Sequence, residues 1–66
     1  MNLSVADQIR ALKSEFGLDV NIIYDDQQFQ VTLWDHETNR DEGWYYSFDL
    51  SYTLQWLLEA KRSKRI

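Results

Sequence analysis

A chain of 66 residues allows one domain, whose core covers only about 60% of the surface that its unfolded chain exposes. A 44% hydrophobic and 15% aromatic composition excludes a disordered chain, and the apolar runs are far too short to span a membrane as a helix. The absence of cysteine excludes disulfides and thiolate metal sites, a single histidine (His36) excludes zinc held by several imidazoles, and a net charge of −4 opposes phosphate-rich partners.

The opening residues MNLSVADQ hold no basic region followed by an apolar stretch, so no secretory signal is expected and a cytoplasmic location is the default. Ser4 and Asp7 then form a helix start, since the hydroxyl can accept an orphan amide and the carboxylate suits the positive helix end. Val5, Ile9, Leu12 and Phe16 fall on one stripe of a 3.6-residue period, and Gly17 suits a left-handed helix stop. The first predicted helix is therefore 4–16.

The segment 19–25 (DVNIIYD) is rich in branched and aromatic residues and is predicted as a strand. Its alternation places Val20, Ile22 and Tyr24 on one face and Ile23 on the other. The residues 25–28 (DDQQ) suit a hairpin connection, and a second strand follows over 29–35, with Phe29, Val31 and Leu33 opposite Gln30, Thr32 and Trp34. The polar stretch 35–43 (DHETNRDEG) is predicted as the second hairpin loop, with Gly43 in a backbone conformation closed to other residues. A third strand, 44–49, alternates Trp44, Tyr46 and Phe48 against Tyr45 and Ser47. The second helix begins near Asp49 or Ser51 and runs to about Arg62, with Leu50, Leu54, Leu57 and Leu58 in one arc. Residues 63–66 form a basic tail to the single domain 1–66.

Short loops favour antiparallel neighbours. The expected fold is α+β, helix–strand–strand–strand–helix, a three-stranded antiparallel meander with both helices on one face. This order of elements resembles that of the double-stranded-RNA-binding domain. That family relies on basic residues at the start of its second helix and in a strand–strand loop. The corresponding places here hold Asp49, Ser51 and Thr53, and the acidic segment 35–42, so the likeness of order does not imply RNA binding.

Residues 15–59 hold ten acids against one base, Arg40, while Lys61, Arg62, Lys64 and Arg65 close the chain. Oxygen ligands at 35, 37, 39 and 41 have the spacing of a calcium loop, but Arg40 stands where that loop needs glycine and Tyr46 where it needs a bidentate glutamate. The loop is accordingly expected to be a solvated hairpin tip. No nucleophile–base arrangement and no glycine-rich phosphate loop is present, so neither an enzyme nor a cofactor or metal site is expected.

The aromatic residues carry the functional expectation. With Val31, Leu33, Tyr46 and Phe48 turned to the helices, Ile23, Trp34 and Tyr45 form a platform on the open face, with Asp25, Asp35, Asp41 and Glu42 as an acidic rim. The competing reading is an aromatic pair that merely stabilises the sheet. On helix 2, Tyr52 and Trp56 lie nearly opposite the leucine arc, where a surface helix is normally polar, and could bury against a partner or a second copy. The expected function is non-enzymatic protein binding through these anchors, as in a small acidic accessory or regulatory protein of a bacterium or phage. The alternatives are a nucleic-acid mimic that fills a basic groove, and a weak nucleic-acid binder acting through the basic C-terminus.

Overall fold

Ser4 and Gly17 bound the first helix as their chemistry requires. The computed structural model of the chain describes residues 3–64, and in it α1 spans Val5–Phe16. The Ser4 hydroxyl accepts the Asp7 amide at 3.1 Å, and Gly17, at φ 68°, turns its own amide back to the carbonyls of Leu12 and Lys13. Strands β1 (Leu18–Asp25), β2 (Gln28–Asp35) and β3 (Arg40–Ser47) follow, then α2 (Leu50–Arg62), capped by Asp49 accepting the Tyr52 amide at 3.1 Å. Among the described residues no helix is long and apolar enough to cross a membrane.

The sheet is an antiparallel meander in the order β1-β2-β3. Its first hairpin closes on Asp26 and Gln27, both at positive φ (51° and 65°), as a two-residue turn matched to the strand twist requires. Gln27 has no intrinsic preference for that region, and the left-handed conformation costs a residue with a Cβ about 1–2 kcal/mol. Gln27→Gly is expected to stabilise the domain by roughly 0.5–1 kcal/mol in urea denaturation, less than the full strain because glycine also adds freedom to the unfolded chain. The second loop is shorter than the polar stretch suggested. It comprises His36 to Asn39, closed by the Asn39 amide on the Asp35 carbonyl at 2.8 Å and by the Glu37 amide on the Asp35 carboxylate at 2.8 Å. Arg40 to Gly43, expected in the loop, are the first half of β3.

One face of the sheet carries the core. Leu18, Val31 and Leu33 from the strands meet Leu12 from α1 and Leu54, Leu57 and Leu58 from α2, all seven fully buried. Both helices therefore lie on one face, and the other is left to solvent. At about 25 cal/mol per Å² of apolar surface, each of these leucines contributes about 1.5–3 kcal/mol to holding the two layers together. The leucine arc of α2 packs as its spacing predicts, with Leu50 only partly buried at its start.

Strand β3 has the opposite phase from the one its sequence suggested. Cross-strand partners are Val31 with Tyr45 and Leu33 with Gly43, so Tyr45 and Gly43 share the helix-side face of the two buried β2 residues. Trp44 and Tyr46 point to the open face, and Phe48, expected in the core, is 75% exposed just after β3. The register then steps from Leu33 opposite Gly43 to Trp34 opposite Asp41, leaving Glu42 as the extra residue of a bulge. The bulge reverses the alternation beyond it. Glu42 reaches back to the helix layer, where it forms an ion pair with Lys61, and Asp41 comes to lie beside Trp34.

Candidate functional site on the open face of the sheet

The open face is laid out by the two registers. One cross-strand row holds Asp19, Trp34 and Asp41, the next holds Asn21, Thr32 and Trp44, and the next Ile23, Gln30 and Tyr46. Ile23, Trp44 and Tyr46 are each more than half exposed, which is unusual for side chains of this size on a small protein. Trp34 is partly shielded between its neighbours, with a carboxylate on either side in its own row.

Of the residues expected on this platform, Ile23 and Trp34 are there and Tyr45 is not. Tyr45 is partly buried under α2, its ring tilted 58° against Trp56 with centroids 6.1 Å apart. Its place on the open face is taken by Trp44 and Tyr46. The acidic rim is corrected in the same way. Asp41 and Asp25 border the face, but Asp35 shares the helix-side parity of Leu33 and spends its carboxylate on the Glu37 amide, and Glu42 is paired with Lys61. Asp19, which the sequence did not single out, completes the border.

The helix side of β3 forms a second surface. Trp44, Tyr45, Tyr46, Tyr52, Thr53 and Trp56 line an open groove of about 480 Å³ between β3 and α2. Tyr52 is largely exposed there, while Trp56 is half covered by Tyr45. The two aromatic residues of α2 are thus unequal. Trp56 is partly accounted for by packing within the chain, and Tyr52 is not. Edge strand β3 joins both surfaces: Trp44 and Tyr46 border the groove as well as the open face, and Tyr45 lines the groove alone.

The charges are arranged so that bases are consumed and acids left over. Arg62 holds Glu15 through two parallel bonds, Nε to Oε1 at 2.8 Å and Nη2 to Oε2 at 2.5 Å, which ties the C-terminal ends of the helices together. Lys13 donates to Asp19 at 2.6 Å, His36 contacts the other oxygen of that carboxylate, and Arg10 pairs with Asp7 at 2.8 Å. With Lys61 on Glu42, the described bases outside ion pairs are Arg40 and Lys64. Asp25, Asp26, Asp35, Glu37, Asp41, Asp49 and Glu59 have no ion-pair partner among the described residues. Lys61 and Arg62, half of the basic C-terminal cluster, are therefore engaged within the fold. Arg65 and Ile66 of the expected tail lie outside the described residues.

These pairs set a pH dependence. The Arg62 guanidinium holds the Glu15 carboxyl below its usual range, and Lys13, then His36, do the same for Asp19. Both folded pKa values are depressed, so their contribution is present above the unfolded carboxylate pKa of about 4 and is lost as pH falls through the folded values. Urea midpoints are expected to fall as pH drops below about 4, and in Glu15→Gln with Asp19→Asn that decline is expected to flatten. Both carboxylates are well exposed, so the amplitude is small and salt-sensitive.

Among the described residues no three histidine, aspartate or glutamate side chains converge as a metal site would need. Comparison with protein-family models, with curated proteins and with solved structures finds no match to this chain.

Proposed function

We propose that this chain is a small, cytoplasmic, non-enzymatic protein-binding domain whose anchors are Trp34, Trp44, Tyr46 and Ile23 on the open face of the sheet. The observation that carries the reading is that both helices pack on one face while the other keeps Trp44, Tyr46 and Ile23 each more than half in solvent. Tryptophan and tyrosine supply large contact area at low entropic cost and dominate binding energy where they are buried by a partner. A sheet that needed these side chains only for its own stability would gain little from rings left in water, because the gain comes from area removed from it.

The experiment is affinity capture from cells expressing the tagged chain, comparing the wild type with Trp44→Ala, Tyr46→Ala and Tyr24→Ala, the last exposed but on the helix-side parity of β1. Trp44→Ala and Tyr46→Ala are expected to weaken capture of a partner at least about tenfold, and Tyr24→Ala to leave it within about twofold. Capture unchanged in both open-face variants, with native circular dichroism, overturns the reading. Self-association through α2 is a second reading, supported by the largely exposed Tyr52 beside the groove. A solution mass that doubles with concentration, and no longer does so in Tyr52→Ala, would favour it.

A further inference from the structure

The open face combines aromatic rings with carboxylates, and among the described residues no lysine or arginine of the strands shares it. Its three central rows hold Asp19 and Asp41 on either side of Trp34, with Trp44 and Tyr46 next along β3, and Asp25 ends the face opposite Gln28. Asp41 stands there because the bulge at Glu42 turns it away from the helices. Asp25 and Asp41 have no ion-pair partner among the described residues, while Lys13 of α1 and His36 of the loop after β2 both pair with Asp19.

We infer that the open face takes an arginine-bearing extended segment of a protein partner, its guanidinium groups stacked on Trp44 and Tyr46, the one at Trp44 paired with Asp41, while Asp25 adds to the negative charge of the face. The inference rests on the proposed protein-binding role of this face and names the chemistry of what it binds. Charge complementarity chooses the partner. A second copy would bring Asp25 and Asp41 against a face with the same excess of carboxylates, and a phosphate-bearing strand would meet them too. A guanidinium gains on both counts, since it is attracted to the negative face of an indole or phenol ring and makes two parallel bonds to a carboxylate. Spacing agrees as well. Trp44 and Tyr46 are two residues apart on one strand, about 6.8 Å, and an extended segment presents every second side chain at about that interval.

The test uses a synthetic peptide of alternating arginine and alanine, and the same peptide with glutamine for arginine. Each is titrated into the full chain at about 0.15 M salt, by calorimetry and tryptophan emission. The arginine peptide is expected to bind one to one, at least about tenfold tighter than the glutamine peptide. Trp44→Ala and Asp41→Asn are each expected to weaken it about fivefold or more. Asp26→Asn, which removes the same charge at the hairpin tip, is expected to change it less than about twofold. Equal losses in Asp41→Asn and Asp26→Asn would mean diffuse attraction and would overturn the inference. Equal binding of both peptides, abolished in Trp44→Ala, would overturn the arginine preference and leave the face as a protein-binding surface. No binding of either peptide overturns the inference, and a dimer that dissociates in Trp44→Ala would then assign the face to a second copy.

Discussion

Gln8→Glu is expected to unfold the domain at neutral pH. Gln8 lies on α1 with no exposed surface, and its side-chain amide donates across the helix interface to the Ser51 carbonyl at 3.1 Å and the Gln55 Oε1 at 3.2 Å, with the Ser51 hydroxyl at 3.4 Å. The Ser51 carbonyl and Gln55 Oε1 are acceptors, so the substitution sets a carboxylate oxygen where two N–H donors stood, with only the neutral Ser51 hydroxyl able to turn and donate to it. Gln55 could turn its amide to donate, but its Nε2 already serves Glu59 at 3.2 Å. A buried charge without an opposite charge beside it costs about 3–5 kcal/mol, which matches the whole stability of about 3–5 kcal/mol that a core this small supplies. The introduced carboxyl would have a raised folded pKa, so the variant is stable below the unfolded value of about 4.3 and loses stability as pH rises towards the folded one. This is opposite in sign to the acid loss expected from Glu15 and Asp19. Urea denaturation followed by circular dichroism at pH 4 and pH 7 checks it, with Gln8→Leu as the comparison. The leucine variant introduces no charge and also removes a buried Gln8 Oε1 without a partner among the described residues, so it is expected to lose only about 1–2 kcal/mol. A Gln8→Glu variant as stable at pH 7 as the wild type would show that the helix interface opens to water.

Gln8 also marks one limit of what the sequence reveals. Val5, Gln8 and Leu12 are three and four apart, so Gln8 sits inside the apolar stripe by position alone, and only its polarity removed it from a reading based on hydrophobic residues. The elements and their order were legible because caps, glycines and periodicity agreed: Ser4 and Gly17 for α1, Asp49 and the leucine arc for α2, alternation for β2. The phase of β3 was not. Trp44, Tyr45 and Tyr46 are consecutive aromatics, so either alternation buries large rings, and a one-residue shift exchanges the two faces entirely. The deciding contacts are long-range, Val31 opposite Tyr45 and the Glu42 bulge, and no local pattern encodes them. Hence the sequence brings Ile23 and Trp34 to the open face, whereas the long-range register brings Trp44 and Tyr46 there and turns Tyr45 to the helices.

Gly43→Ala is expected to cost about 1–3 kcal/mol and to disturb the Tyr45–Trp56 contact, although Gly43 is on an edge strand. Its φ of 159° is positive and lies where residues with a side chain rarely sit, as the sequence leads one to expect. A second reason is the Tyr45 ring, which folds back along β3 over the position a side chain would take. A Cβ on Gly43 would lie 2.8 Å from both Cε2 and Oη of Tyr45. The ring would have to swing away, and it is held on its other side by Trp56. Displacing it changes the floor of the groove between β3 and α2, which Tyr45 and Trp56 both line. Tryptophan emission should therefore shift in the folded variant, and the shift should vanish when Trp56 is replaced by phenylalanine. A double-mutant cycle gives the sharper reading. With Tyr45→Ser in the background there is no ring to displace, so Gly43→Ala is expected to keep only a backbone cost of about 1 kcal/mol, and the coupling between the two positions should reach about 1 kcal/mol or more. Additive losses would mean that the positive φ alone accounts for the glycine.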